Sequence, residues 1–509
     1  MEKKSRSEYV FRNVSITLVM QIVKNILSFI SRTVFVYVLG AEYLGVNSLF
    51  TDILSVLSFA ELGIGNAMVF SLYKPLAEEN NEKIKSLMKL YAKAYKIIGV
   101  VIAVLGVGII PFLSYIIGNV SYVKENIVLL YILFLFNSVI SYFFVYKKSL
   151  IIADQKSYIV DIYQQVFYGI QVTLQAIFLV ITKQFLAYLL IMIATTFFNN
   201  FFVARKADKL YPYLTEKNIA PLEKNEFNDI VKNVKALVLY KIGGIILEST
   251  DSIFISSLIN VITVGLYANY KMVINVFKTI GFQIMDSIVA SVGNLNASAT
   301  DEKKESVFYE MFYISAWFFG FSSTGLCCFL TPLVQIWLGD SFVISFSAVV
   351  AACIYFYISN MHYPCYTYRT TAGLFIYGKY VPMFAAIINI ILDVIMGKIW
   401  GLTGIIWAST ISRIFTYELI DPILVYKKVF HSSVLKYLFL YISMTFLIFA
   451  DCGVSKFIIS IIPVQGIIGF ILKIILFSIV FNAIFFGVTC KTSQFKSIRN
   501  RVLRIIRKK

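Results

Sequence analysis

The first long apolar run, Phe11 to Leu39, sets the terms on which the rest of the chain can fold. It exceeds the ~20 residues a helix needs to cross a ~30 Å hydrocarbon core, yet Gln21, Lys24, Asn25, Ser28 and Arg32 lie inside it. At 100° per residue those five fall within an arc of roughly 100°, and the remaining surface is aliphatic and aromatic. A charge near the bilayer centre costs ~2.5–3.5 kcal/mol on insertion scales, so two cations on one stripe must face protein or water. Other helices have to supply that polar interior, which is the architecture of a transport pathway. The run is about twice a signal-peptide apolar core, contains charges and lacks a small-residue cleavage site, so a retained span is expected.

Composition agrees. The chain is 59% hydrophobic and 15% charged, where soluble proteins carry about a quarter charged residues. The net charge of +18 sits in cations between apolar runs and in the C-terminal tail, with no nucleic-acid-reading module around them. The positive-inside rule accounts for them, and no nucleic-acid partner is expected. The six cysteines, Cys327, Cys328, Cys353, Cys365, Cys452 and Cys490, show no metal-binding spacing and lie in or beside apolar segments, as small membrane hydrophobes do. His362 and His431 are too few for a histidine metal site. Gly63 with Gly65, and Gly106 with Gly108, lie inside apolar helices with no strand before them, so they read as packing positions and not as a phosphate loop. No Walker sequence occurs. No cofactor is expected, and transport would draw on H⁺, Na⁺ or substrate gradients.

Fourteen apolar segments can be drawn between residues 12 and 489. The N-terminus, alternate connections and tail hold 33 Lys and Arg against 4 in the other connections. Both termini are therefore expected in the cytoplasm, which requires an even number of spans; twelve would satisfy the parity as well as fourteen. The long polar connection is 205–235, with Pro212 and Pro221. A faint internal repeat places Gly45 over Gly265, and Leu44-Gly45-Val46-Asn47 near Val264-Gly265-Leu266-Tyr267. The expected fold is an all-α polytopic membrane protein with two six-helix halves, 1–205 and 236–430, around a shared cavity. A cytoplasmic linker (206–235) joins them, helices 13 and 14 (431–490) are appended, and the basic tail (491–509) forms an amphipathic helix. Its Ile498, Val502, Ile505 and Ile506 recur at helical spacing among arginines and lysines, which fits anchoring on anionic lipids.

Several stretches carry a family resemblance. They are Leu39-Gly40-Ala41-Glu42-Tyr43-Leu44-Gly45, Phe59-Ala60-Glu61-Leu62-Gly63-Ile64-Gly65-Asn66-Ala67 and Ser249-Thr250-Asp251-Ser252-Ile253-Phe254-Ile255. Val264-Gly265-Leu266-Tyr267-Ala268-Asn269-Tyr270, Ser291-Val292-Gly293-Asn294-Leu295 and Gly401-Leu402-Thr403-Gly404-Ile405 continue it. In order and spacing, over most of residues 10–430, the chain resembles the Wzx-type oligosaccharide-lipid flippases of bacterial O-antigen and capsule assembly. Their superfamily (MOP) includes the MATE exporters and the lipid II flippase. Asp393 departs from the pattern, standing where a small polar residue is expected.

Charged residues recur inside other segments. Lys241, Glu248, Asp251 and Ser252 share about 100° of segment 7, and Lys271, Asn275, Lys278 and Asp286 about 80° of segment 8. Segment 2 holds Asp52 and Glu61, and segment 12 holds Arg413. These groups either pair with one another or serve a substrate. The resemblance implies a flippase, not an enzyme, that carries undecaprenyl-diphosphate-linked oligosaccharide across the bacterial plasma membrane by alternating access. Other polysaccharide-assembly proteins would be its partners. In that reading Lys24, Arg32, Lys241, Lys271 and Arg413 form a cationic cavity for the diphosphate, and Gln21, Asn25 and Ser28 line it. Glu248, Asp251, Asp52 and Glu61 are the candidates for a coupling H⁺ or Na⁺. The alternatives are a MATE-like exporter of small organic molecules and a membrane glycan polymerase or ligase. An exporter of organic cations calls for an anionic cavity, whereas intramembrane cations and acids here nearly balance. A polymerase calls for a large external loop, and no external connection exceeds about a dozen residues.

Overall fold

The computed structural model describes every residue except 1–5, 59–63, 119, 217–218, 220, 223–225, 229, 232–248, 375–376, 379, 462–465 and 508–509. Its regular structure is helical throughout the described residues. The chain divides into two compact units, Met1–Gly265 and Leu266–Lys509.

The first unit contains α1 (Arg6–Leu57), α2 (Ile64–Ala77), α3 (Asn81–Ile109), α4 (Leu113–Ile117), α5 (Ile127–Ser141), α6 (Val145–Ala153), α7 (Ser157–Thr182) and α8 (Phe185–Leu210). Helical residues 249–258 follow the linker. The second contains the greater part of α9 (Val261–Ser298), then α10 (Asp301–Leu338), α11 (Phe346–Met361), α12 (Tyr363–Thr371) and α13 (Val381–Phe415). It ends with α14 (Tyr417–Val425), a π-turn at Tyr426–Phe430, α15 (Leu435–Ser460), α16 (Gly466–Thr489) and α17 (Ser493–Arg507).

Nine described stretches are each long and apolar enough to cross a membrane, and the bent pair α5–α6 supplies a tenth. Two of them are interrupted by a kink. The 52 residues of α1 would extend about 78 Å at ~1.5 Å per residue, over twice the hydrocarbon core. Gly40 (φ 87°) breaks α1 and Gly401 (φ 56°) breaks α13, each in the left-handed region that glycine alone enters cheaply. The arrangement is consistent with fourteen segments. The start of segment 7 lies outside the described residues.

The flanks of the polytopic bundle show what solvent it is built for. Phe439, Phe446, Ile442, Ile467, Ile468 and Ile479 are more than 60% exposed on α15 and α16. Such apolar surface is stable only against lipid, so this is a multi-pass membrane protein.

The structure accounts for several of the motif residues. In Gly40-Ala41-Glu42-Tyr43, the glycine makes the kink and the carboxylate ties it down. Glu42 accepts from the backbone N–H groups of Ser121 (2.8 Å) and Tyr122 (2.7 Å), and the Tyr43 hydroxyl donates to Glu125 (2.6 Å). In Gly401-Leu402-Thr403-Gly404, a Cβ on Gly404 would strike the Met396 carbonyl across the turn. The repeat-related pair is reciprocal: a Cβ on Gly45 would strike the carbonyl of Val261, and one on Gly265 the carbonyl of Ala41. Each glycine faces the carbonyl four residues before the other, the relation a local two-fold crossing produces. Backbones approach this closely only where both faces are small.

Candidate functional site

In the first unit, α1 packs along α7 and meets α8 through Phe35, whose ring stands edge-on to Phe185 and Tyr188. The polar stripe of α1 is drawn into this junction. Gln21 donates to Asn25 (3.2 Å), and Ser28 and the Tyr168 hydroxyl are 2.8 Å apart. Arg32 is half-buried with Tyr168 and Tyr188 as its electrostatic neighbours. Its Nη1 atom is fully enclosed and has no hydrogen-bond partner among the described residues. No ion pair joins Arg32 to a carboxylate among them. Lys24, two turns earlier, is exposed.

Beside this stripe, α7 and α8 line a cavity of about 320 Å³. At 100° per residue Gln164, Tyr168, Gln171 and Gln175 share one face of α7, and Thr195 and Asn199 answer them from α8. Thr195 donates to Gln171 (3.2 Å), Gln175 donates to the Tyr188 carbonyl (3.0 Å), and Asn200 donates to the Ser141 carbonyl (2.9 Å). Lys148 and the ring of Phe167 complete the wall. One lining atom, Asn199 Oδ1, is also buried without a partner among the described residues. Enclosed amide and guanidinium atoms without partners are costly, at ~1–3 kcal/mol each, and rare in finished cores. They are the groups a polar ligand would satisfy. Amides and hydroxyls beside an aromatic ring can meet the hydroxyls and the apolar face of a sugar, and a guanidinium can meet a phosphate. The Gln164/Gln171/Gln175 periodicity is the signal that marks α7 in the sequence, and it is fainter than the charged stripe of α1.

Other expected residues are dispersed. Asp52 accepts a hydrogen bond from Ser252, beside Asp251, so segments 2 and 7 meet within the first unit. Glu61, Lys241 and Glu248 lie outside the described residues. In the second unit, Lys271 sits 6.0 Å from the ring of Tyr267 and Lys278 5.6 Å from that of Phe282. Asp286 accepts from the Tyr363 hydroxyl.

Arg413 is held inside a buried charge cluster. Its Nη2 donates to the Ser359 carbonyl (3.1 Å), its Nε is 3.8 Å from Glu418, and its guanidinium lies 5.0 Å from the Tyr417 ring centroid. His362 stands between two acids, 3.7 Å from Glu418 and 3.0 Å from Asp421, and Arg369 donates to Asp421 at 2.6 Å. Two arginines balance two carboxylates around a histidine, which joins α11, α12, α13 and α14. Of these residues only Arg413 stands out in the sequence, because the other members sit at segment ends, where charges are ordinary.

Asp393 is fully buried on α13 with Asn389, whose Nδ2 lies 3.3 Å from the carboxylate and 3.1 Å from the Ser409 hydroxyl. Carboxylate, amide and hydroxyl oxygens are the donor types of hard cations. No group of three or more His, Cys, Asp or Glu residues suited to a metal occurs among the described residues.

The basic tail does form a helix, α17, and it also docks on protein. Arg501 pairs with Glu310 of α10 at 2.9 Å, and Ser497 donates to the same carboxylate at 2.7 Å.

No protein-family model and no curated protein matches the chain. Solved structures do. The lipid II flippase MurJ, in an inward closed conformation, aligns over 94% of this chain and 100% of its own with a TM-score of 0.65 at 15% identity. An inward-facing multidrug resistance MATE family transporter of the MOP superfamily aligns over 78% of this chain and 96% of its own, TM-score 0.61, at 13% identity. A Vibrio cholerae MATE transporter covers 84% and is itself covered over 98%, TM-score 0.57, at 12% identity. The likeness is one of fold: the chain has the transporter fold shared by MurJ and the MATE proteins.

Proposed function

We propose that the protein is a flippase for oligosaccharides carried on undecaprenyl diphosphate, of the Wzx type, serving surface polysaccharide assembly in a bacterial plasma membrane. The observation that carries this reading is the enclosed, unpartnered Nη1 of Arg32 beside a chamber of amides, hydroxyls and a phenyl ring. A diphosphate would satisfy the guanidinium by charge-assisted hydrogen bonds, and a short glycan would satisfy Asn199 and its neighbours. The lipid tail would remain in the bilayer. MurJ's description as a lipid II flippase supports a lipid-linked cargo.

In this reading both termini and the 206–235 linker are cytoplasmic, as the cation distribution requires. The halves 1–205 and 236–430 alternate their opening, passing the diphosphate from Lys24 toward Arg32 along α1, and no chemical step occurs. Asp251, beside the Asp52–Ser252 contact, and buried Asp393 are the candidate sites for a coupling H⁺ or Na⁺. An exporter of organic cations fits less well, because the described lining of the chamber includes Lys148 and no carboxylate.

The test compares Arg32→Ala and Arg32→Lys for membrane abundance and surface polysaccharide. Arg32→Ala should stop export at normal abundance, and Arg32→Lys should retain part of it, because charge survives while the guanidinium fork is lost. Full export by a stable Arg32→Ala protein would refute the proposal.

A further inference from the structure

Helix α3 presents a second cationic feature, remote in sequence from the α1 stripe. Its N-terminal turns are built against the linker. Asn80 caps the helix by accepting from the Lys83 N–H (3.0 Å), Lys83 pairs with Glu226, and Lys85 reaches Glu82 (2.6 Å) and Glu216 (2.7 Å). Lys85 is only 3% exposed, so linker and helix are locked together here.

Beyond that lock the pattern changes. Lys89, Lys93 and Lys96 are exposed and form no ion pair among the described residues. They edge a cavity of about 710 Å³ whose opposite wall is apolar, formed by Pro221, Leu222 and Phe227 of the linker. The volume lies within the ~300–1,000 Å³ of ordinary ligand sites. Along the helix the same face continues as Val100, Val104 and Val107, which are 63%, 65% and 57% exposed. At 100° per residue the three lysines and three valines occupy an arc of roughly 80°. One stripe therefore passes from cations beside a cavity to bare hydrocarbon, which is the outline of a lipid with a charged, bulky head.

Like charges spaced four and three residues apart on a helix repel, and an anion relieves that repulsion. General attraction to an anionic leaflet needs neither a cavity nor an apolar wall. Three ammonium groups around one cavity, unpaired among the described residues, match a head with several negative charges better than the single charge of a phosphodiester lipid.

We propose that this stripe is a docking site for a polyprenyl diphosphate lipid, with the diphosphate on Lys89, Lys93 and Lys96, its attached glycan in the cavity and its chain along Val100, Val104 and Val107. The site would receive the cargo from the leaflet before it reaches the α1 stripe. The choice of cargo lipid as occupant rests on the flippase reading above.

The test uses the full-length protein in phosphatidylcholine nanodiscs and a photoreactive farnesyl diphosphate analogue, with crosslinked peptides mapped by mass spectrometry. Wild type should be labelled within residues 97–107. The triple variant Lys89→Gln/Lys93→Gln/Lys96→Gln should need about five-fold more probe per lysine lost, roughly a hundredfold together, and Lys93→Gln alone should show the single step. Arg32→Ala should leave this labelling unchanged. Unaltered labelling in both lysine variants would overturn the site. So would equal labelling by the monophosphate analogue, or full displacement by equimolar phosphatidylglycerol, which would make the stripe a general anionic-lipid contact. The two proposals fail separately. Intact labelling in a protein whose loss leaves surface polysaccharide unchanged would sink the flippase reading. Export that depends on Arg32 with no labelling on α3 would sink only this site.

Discussion

The charge cluster of the second unit offers the most demanding test of the structure. Arg369 and Asp421 are both 0% exposed and 2.6 Å apart. Arg369→Met keeps the length and apolar stem of the side chain and removes the charge. Asp421 then keeps His362, at 3.0 Å, as its remaining close basic partner among the described residues. Removing one partner of a buried ion pair costs about 3–5 kcal/mol, because the other charge stays desolvated. At 1.36 kcal/mol per decade this is roughly a 150- to 5,000-fold change in the unfolding equilibrium. Replacing both partners, as Arg369→Met/Asp421→Leu, removes the stranded charge and should recover most of the loss. The measurement is SDS titration of purified protein in mixed micelles for wild type, both single variants and the double. The expected result is a coupling of several kcal/mol between the two substitutions. Additive losses, with coupling below about 0.5 kcal/mol, would show that the pair does not operate as an ionic unit and refute the reasoning.

Two further outcomes follow from particular contacts. Gly45→Val and Gly265→Val each drive a side chain into a backbone carbonyl, so both should lower membrane abundance and export, while Gly108→Val, which meets nothing within 4 Å, should not; immunoblots of membranes check this. Glu310→Gln weakens the partner of Arg501 and Ser497, so the tail should become more accessible to trypsin while transport persists.

Several features are legible in the chain because they depend on local chemistry and period alone. Apolar runs of bilayer length force helices, since lipid cannot satisfy a backbone N–H or C=O. The placement of Lys and Arg between them predicts the cytoplasmic face by the energetics of insertion. The alignment of Gly45 with Gly265 is a faint repeat in sequence, and the structure makes it a reciprocal backbone contact. The polar stripe of α1 is visible because polar residues at helical spacing stand out in an aliphatic run. What faces that stripe is decided by packing. Gln164, Gln171, Thr195 and Asn199 come together only when α7 and α8 fold back beside α1, and single amides in separate helices give no one-dimensional signal. The same holds for Arg413, which its sequence neighbourhood groups with the cavity cations. The folding of α11 to α14 onto one another brings His362, Arg369, Glu418 and Asp421 around it, and a charge's role depends on the distance to its counter-charge and on the water left between them. Sequence determines which groups must leave lipid, and only the tertiary structure decides which partners they leave it for.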